Sequence, residues 1–319
     1  MKTATVFPPL HMLEAMAEED ASQKTRRLAR LYHLTQQNSW DGKVVLGALV
    51  DKHGLPGGEM AEEKRQALSR VLTILMWGEL AAWNISADLA LRIEDMDAKM
   101  AATAQVFDEA RHFYVLRDYV KALGAVPPLG GLPRRLLGKV LNAPTLAMKL
   151  IGMQLLFETN AVVIFRRISE SDVCPILTEL LPYFERDESR HVGLGVMYVP
   201  RLIERMDPAE ARRTSRFQVE CVLLLMAGTF TVRDDFARLG LDHRLMATRV
   251  TAMQEEIVEQ MAAHHGESVL RTVLNPRAGF GPKILDFIHP PNGLDAASPL
   301  HRSVHRGLQR TLSALDRAL

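Results

Sequence analysis

The chain has 319 residues, 47% of them hydrophobic, enough to bury a sizeable core in one large domain or two. Its 39 Lys and Arg balance 38 Asp and Glu, which argues against a nucleic-acid partner or an anionic membrane surface. Only Cys174 and Cys221 are present, too few for a disulfide framework or a thiolate cage, and neither an export signal nor a membrane-spanning apolar run is evident, so a cytoplasmic protein is expected.

Helical periodicity dominates from about residue 10 to 274 without any alternating β-branched run, which predicts an all-α protein. A first helix covers about 10–37 and ends near Trp40-Asp41-Gly42; a short segment follows at 43–51, then a Gly/Pro loop at 54–58. Helices at about 60–92 and 96–123 lead into a Pro/Gly-rich connection at 124–133. Two more are expected at about 144–169 and 175–205, with Pro175 in the first turn and Pro182 as a point of kinking. Beyond Pro208 the pattern predicts helices at about 209–239, 242–264 and 266–274, an irregular stretch at 275–299 and a last amphipathic helix at 300–317. This punctuation reads as loops within one domain over 1–319, with a core bundle at about 60–205 and C-terminal helices and tail at 209–319.

Within the expected bundle one constellation occurs twice. Glu79, Glu109 and His112 recur 79 residues later as Glu158, Glu188 and His191; Asp108 and Arg111 recur as Asp187 and Arg190, and Tyr119 as Tyr198. Each Glu-x-x-His pair projects from one face of its helix. The two glutamates of each copy are 30 residues apart, and their midpoints, Glu94-Asp95-Met96-Asp97 and Val173-Cys174-Pro175, can turn. In two helical hairpins these side chains would stand about 15 residues from the turn, roughly 22 Å, and arrive side by side. Four carboxylates can bridge two ions and neutralise four positive charges, while the imidazoles add nitrogens and leave coordination positions open. Four buried glutamates without such partners would be costly. A single Glu-x-x-His is commonly a surface pair; the second copy, set among Leu, Ile, Phe and Val, points to the dinuclear site of a four-helix bundle. Metal-bound histidines usually donate their other ring N–H to a carboxylate. The pseudo-twofold relation therefore predicts Asp187 behind His112 and Asp108 behind His191, with Arg111 and Arg190 balancing the aspartates.

The duplicated Asp-Glu-x-Arg-His motif resembles that of the ferritin-like di-iron carboxylate superfamily over about residues 60–205. It is most similar to the oxygen-activating branch of monooxygenase hydroxylase subunits, acyl-carrier-protein desaturases and ribonucleotide reductase small subunits. The resemblance implies a ferritin-like four-helix bundle with additional N- and C-terminal helices. It further implies two Fe ions, or a Mn/Fe pair, with dioxygen as co-substrate. Glu79, Glu109 and His112 would hold one ion and Glu158, Glu188 and His191 the other, with Glu109 and Glu188 bridging.

Departures from the family patterns narrow the choice. Leu116 stands where radical-storing subunits carry a tyrosine, and Ala81 and Met153 where Mn/Fe ligand-binding oxidases carry a cross-linked valine and tyrosine. Phe184 replaces the third histidine of arylamine N-oxygenases, and Val162 the threonine frequent in monooxygenase hydroxylases. Storage ferritins are shorter and lack the C-terminal helices. The expectation is an oxygenase or oxidase that hydroxylates, desaturates or N-oxidises a small, largely apolar substrate, free or carrier-linked. An external electron donor, ferredoxin or reductase, and a homodimer are expected with it. Iron handling without an organic substrate, or radical generation for a partner enzyme, are the alternatives.

Residues one helical turn from the ligands are expected to line the substrate cavity: Met76, Trp83, Gln105, Phe113, Gln154, Val162, Phe165 and Phe184. This mainly apolar set suits an alkyl, acyl or aromatic group. Gly193 and Gly195, each costing about 1 kcal/mol relative to Ala inside a helix, point to close helix packing. Arg134, Arg135, Arg166 and Arg167 read as solvated faces that could also meet a carrier or redox partner. His301 and His305 read as a surface pair.

Overall fold

The computed structural model describes residues 23–265, 273–274, 286–288, 290, 294 and 296–319. All regular structure among these is helical: α1 Gln23–Gln37, α2 Gly42–His53, α3 Glu62–Arg92, α4 Met96–Leu123, α5 Gly131–Leu141 and α6 Leu146–Leu150. A π-helical segment, Ile151–Phe157, continues α6 directly into α7, Glu158–Ser169. Then come α8 Pro175–Ile203, α9 Pro208–Thr231, α10 Arg233–Arg238, α11 His243–His265 and α12 Pro299–Ala318. Of the first expected helix, residues 10–22 lie outside the described residues, as do most of the helix expected at 266–274 and the stretch after it.

The two hairpins form at the anticipated turns. In the first, α3 ends at Ile93 and the Asp95 carboxylate accepts the Ala98 N–H, capping α4. In the second, Glu170–Cys174 turn the chain and Pro175 opens α8, where a missing N–H costs nothing. Pro182 and Pro200 both lie within α8, which runs on as one helix.

Three features differ from the periodicity reading. The rod from Leu146 to Ser169 contains the π-helical turn immediately before Glu158, a wider winding that is rare and frequent at functional sites. This rod is long and apolar enough to cross a membrane, yet 78% of its most apolar window is buried inside the protein, the profile of a core helix. Second, α5 forms in the tail of the Pro/Gly connection because its cap comes from elsewhere: Asp316 of α12 accepts the Leu132 N–H at 2.7 Å. Third, the helix expected at 209–239 breaks at Val232, giving α9 and α10.

The bundle consists of α3, α4, the α6–π–α7 rod and α8, with α1 and α2 laid against α4 and α8. On the other side α9 packs on α5 and α12, α10 on α3, and α11 on α7 and α8. Its core divides in two. One cluster gathers residues such as Ile85, Leu89, Leu150, Leu156 and Val199; the second holds Leu72, Leu116, Tyr119, Phe165 and Phe184. The duplicated Glu and His residues fall between them on all four helices, so both hairpins place a polar layer mid-bundle between apolar walls.

Candidate metal centre

All six duplicated residues converge. Glu79, Glu109, His112 and Glu188 form one group and Glu109, Glu158, Glu188 and His191 another, the ligand atoms of each lying within 4.8 Å of one another. Glu109 and Glu188 belong to both groups, the positions that bridging ligands occupy. None of the six is more than 4% exposed.

The imidazoles are oriented by what stands behind them. His112 Nε2 lies 3.3 Å from Asp187 Oδ2 and His191 Nε2 lies 3.3 Å from Asp108 Oδ2, so each Nδ1 faces the carboxylates. His191 Nδ1 is 2.8 Å from Glu188 Oε2 and 3.0 Å from Glu109 Oε1. His112 Nδ1 is 2.9 Å from Glu188 Oε1, but out of line for a hydrogen bond. These two atoms, with Glu109 Oε2, are buried without a hydrogen-bond partner. Unpartnered buried polar atoms are costly. Here they are aimed at a shared space between carboxylates and imidazoles, which is what two cations would fill, and the donor set of oxygens and imidazole nitrogens suits iron or manganese.

Behind the histidines the charges close into a ring. Arg111 Nη2 bonds Asp108 and, at 2.8 Å, Asp187; Arg190 Nη2 bonds Asp187 at 2.6 Å and Asp108 at 3.2 Å. Each guanidinium thus spans both aspartates, tying the two hairpins together. Trp40, in the loop after α1, donates its indole N–H to Asp187 Oδ2 at 2.7 Å, and Thr35 accepts from Arg190 Nε at 3.1 Å. The Arg111 guanidinium stacks between Trp40 at 4.8 Å and Phe107 at 5.3 Å. Neither Trp40 nor Thr35 follows from the duplicated motif, since the contacts come from a segment outside both hairpins.

Electrostatics divide the six residues into two kinds. Burial, reinforced by the Glu188 carboxylate, holds Glu79 well above the usual range, and burial with Glu188 and Glu109 does the same to Glu158. Burial also pushes on Glu109 and Glu188, but the facing imidazoles win and both end below the usual range. Burial disfavours charge on His112 and His191 too, yet Glu188 and Glu109 overcome it and raise both. Without metal, the surroundings thus favour the charged forms of His112, His191, Glu109 and Glu188 and disfavour those of Glu79 and Glu158. Divalent cations would replace the protons.

Of the residues expected to line a cavity, Gln105 and Gln154 sit beside the ligands. Gln105 Nε2 donates to Glu109 Oε1 at 3.0 Å and Glu158 Oε1 at 2.8 Å, and Gln154 Nε2 donates to Gln105 Oε1 at 3.0 Å. Phe184 stacks on the His112 ring at 4.4 Å and meets Phe165 at 5.2 Å. Met76 and Val162 are buried in the two core clusters, while Trp83, 36% exposed, pairs with Phe113 near the surface.

None of these eight lines the cavity that touches the centre. That cavity, about 140 Å³, opens on Glu79 and Glu158 and lies between α3, α5, the π segment, α7 and α9. One-turn spacing finds residues stacked along the ligand helices, and those pack in the core, bond the ligands or lie near the surface. The open space lies lateral to Glu79 and Glu158, closed by helices outside the repeat. Gly195 has a packing role: a Cβ there would lie 2.6 Å from Gln154 Cβ.

No family model matches the sequence, and no curated protein matches it. Solved structures do resemble it. A variant of an R2-like ligand-binding oxidase with an aerobically reconstituted Mn/Fe cofactor superposes with a TM-score of 0.58 at 16% identity, covering 73% of this chain and 93% of that one. A protein with aldehyde deformylating oxidase activity from Synechococcus gives 0.55 at 21% identity, covering 68% and 98%. Another R2-like variant, with an Fe/Fe cofactor, gives 0.54 at 15% identity, covering 80% and 99%. The chain thus has the all-α, ferritin-like helical-bundle fold of these structures.

Proposed function

We propose that this chain is a di-metal oxidase or oxygenase that uses dioxygen and external electrons to oxidise a small, largely apolar substrate. The observation that carries it is the convergence of four carboxylates and two imidazoles, three of their atoms unpartnered, beside an apolar cavity. Glu79, Glu109, His112 and Glu188 would hold one ion and Glu109, Glu158, Glu188 and His191 the other. A reduced iron pair, or a manganese and iron pair as in the R2-like oxidases, supplies dioxygen activation when bound.

The chain's own groups do the rest. Asp187 and Asp108 fix the rings of His112 and His191 with Nδ1 inward. The arginines offset the charge of those aspartates, which can then accept the Nε2–H of a neutral, ligating imidazole. Phe165 and Phe184 keep water from one side of the centre, and Gln105 steadies Glu158 and Glu109. Four carboxylates against two divalent ions sum to zero, which keeps the centre tolerable in an apolar surrounding.

The cavity favours an organic substrate over simple iron handling. Among the described residues its charged lining is Glu79 and Glu158, whereas an ion path needs a polar route. A radical-storing role has less support: Leu116 is packed in the core, and the Tyr119 hydroxyl donates to Cys174 Sγ at 3.1 Å. Ala81 and Met153 leave no groups for a valine–tyrosine link. The test is anaerobic loading with ferrous iron followed by oxygen. Transient absorbance and oxygen consumption are expected; bound metal with neither refutes the proposal, and a persistent organic radical in electron paramagnetic resonance would favour the radical role.

A further inference from the structure

We propose that the group entering the cavity is uncharged and about the size of a benzene ring, and that Gly78 of α3 sets this limit. The inference rests on the reading of the centre given above and names the substrate class for it. An apolar cavity of about 150 Å³ holds a benzene-sized guest. The space beside Glu79 and Glu158 is about 140 Å³, so a monocyclic ring or short branched alkyl group fills it and a decanoyl chain would have to run out beyond it.

Charge is excluded by the lining. Among the described residues no Lys, Arg or His borders the cavity, and the other hydrogen-bonding side chains there are engaged internally: Asn160 Nδ2 donates to Leu156 O at 2.6 Å and Thr229 Oγ1 to Met226 O at 3.0 Å. With two divalent ions the four carboxylates are balanced, leaving little net field to draw in an anion.

Gly78 occupies the middle of the α3 wall. Ile74, Gly78 and Ala82 are four apart, share one face of the helix and all border the cavity. A Cβ at Gly78 meets no atom within 4 Å, unlike those at Gly152 and Gly195, where a Cβ would collide with a neighbour. Packing therefore does not require glycine at 78. Glycine is the poorest helix former after proline, and its presence here leaves open the space next to the Glu79 ligand. A larger side chain at 78 would grow from the Ile74–Ala82 face into that space.

The test is fluorobenzene binding followed by fluorine NMR in the metal-loaded protein, with Gly78→Ala and Gly78→Leu beside the wild type. Leucine is among the good helix formers, so Gly78→Leu should fold, which circular dichroism checks. Fluorobenzene should bind the wild type, persist in Gly78→Ala and weaken at least tenfold in Gly78→Leu, while sodium decanoate should not displace it. Equal affinity in wild type and Gly78→Leu overturns the inference, as does displacement by decanoate. Elemental analysis of the same samples separates the two readings. Absence of metal defeats the proposed centre, whereas metal bound without fluorobenzene defeats only the size assignment.

Discussion

Two glycines two residues apart on α8 should respond to alanine with opposite signs. A Cβ on Gly195 would sit 2.6 Å from Gln154 Cβ and 3.1 Å from Leu155 Cδ2, both in the π segment. Relief requires α8 and that segment to part by most of an ångström. Overpacking of this kind costs about 1–3 kcal/mol, against a helix-propensity gain of about 1 kcal/mol. Gly195→Ala should therefore lose up to about 2 kcal/mol. At Gly193 the nearest atom is Leu31 Cδ2 at 3.4 Å, the end of a side chain that can yield, so Gly193→Ala should be neutral or gain up to about 1 kcal/mol. Equilibrium urea unfolding at constant slope measures both. The strain at Gly195 also reaches the centre, because Gln154 holds Gln105, which holds Glu109 and Glu158. Metal affinity should fall in Gly195→Ala and not in Gly193→Ala. A Gly195→Ala protein as stable as Gly193→Ala would refute the packing account.

Three further outcomes are expected. Adding ferrous or manganous ion to metal-free protein at one hundred times its dissociation constant should stabilise it by about 2.7 kcal/mol per site, reversibly with chelator; an unchanged melting curve would count against a metal centre. Trp40→Phe removes a buried donor to a charged carboxylate and should cost about 2 kcal/mol in denaturant unfolding, a loss below experimental error contradicting its anchoring role. His243 is held neutral, down at about 4 from the usual 6.5, by burial and the nearby Arg233. Its contribution is complete above pH 6.5 and is lost as pH falls from there towards 4, on the order of 3 kcal/mol in all. The stability difference between wild type and His243→Gln should therefore shift by about that amount across this window; a constant difference removes the assignment.

The hairpins and the six converging side chains were legible because helical spacing maps directly onto position. Glu109 and His112 share a helix face whatever surrounds them, and residues 94–97 and 173–175, midway between the paired glutamates, can turn. The π segment was not legible, since Ile-Gly-Met-Gln-Leu-Leu-Phe reads as ordinary helix and its widening shows only in backbone bonding. Neither was α5, whose N-terminal cap is supplied by Asp316, 184 residues further along the chain. The cavity beside Glu79 and Glu158 was not legible for a related reason. Local spacing identifies which residues stack on the ligands, whereas the cavity is bounded by Pro133 and Gly228 on helices that carry no copy of the motif.

The repeat is symmetric in its ligands and not in their surroundings. At the same offset of 79 residues, Gln105 corresponds to Phe184. One presents an amide to Glu158 and Glu109; the other lays a flat ring on His112. An ion settling beside Glu158 must compete with a hydrogen-bond donor for its carboxylate oxygens, while its twin meets a hydrocarbon face. The repeated ligands thus stand in a centre with a left and a right hand, an amide bordering one side and an aromatic ring the other.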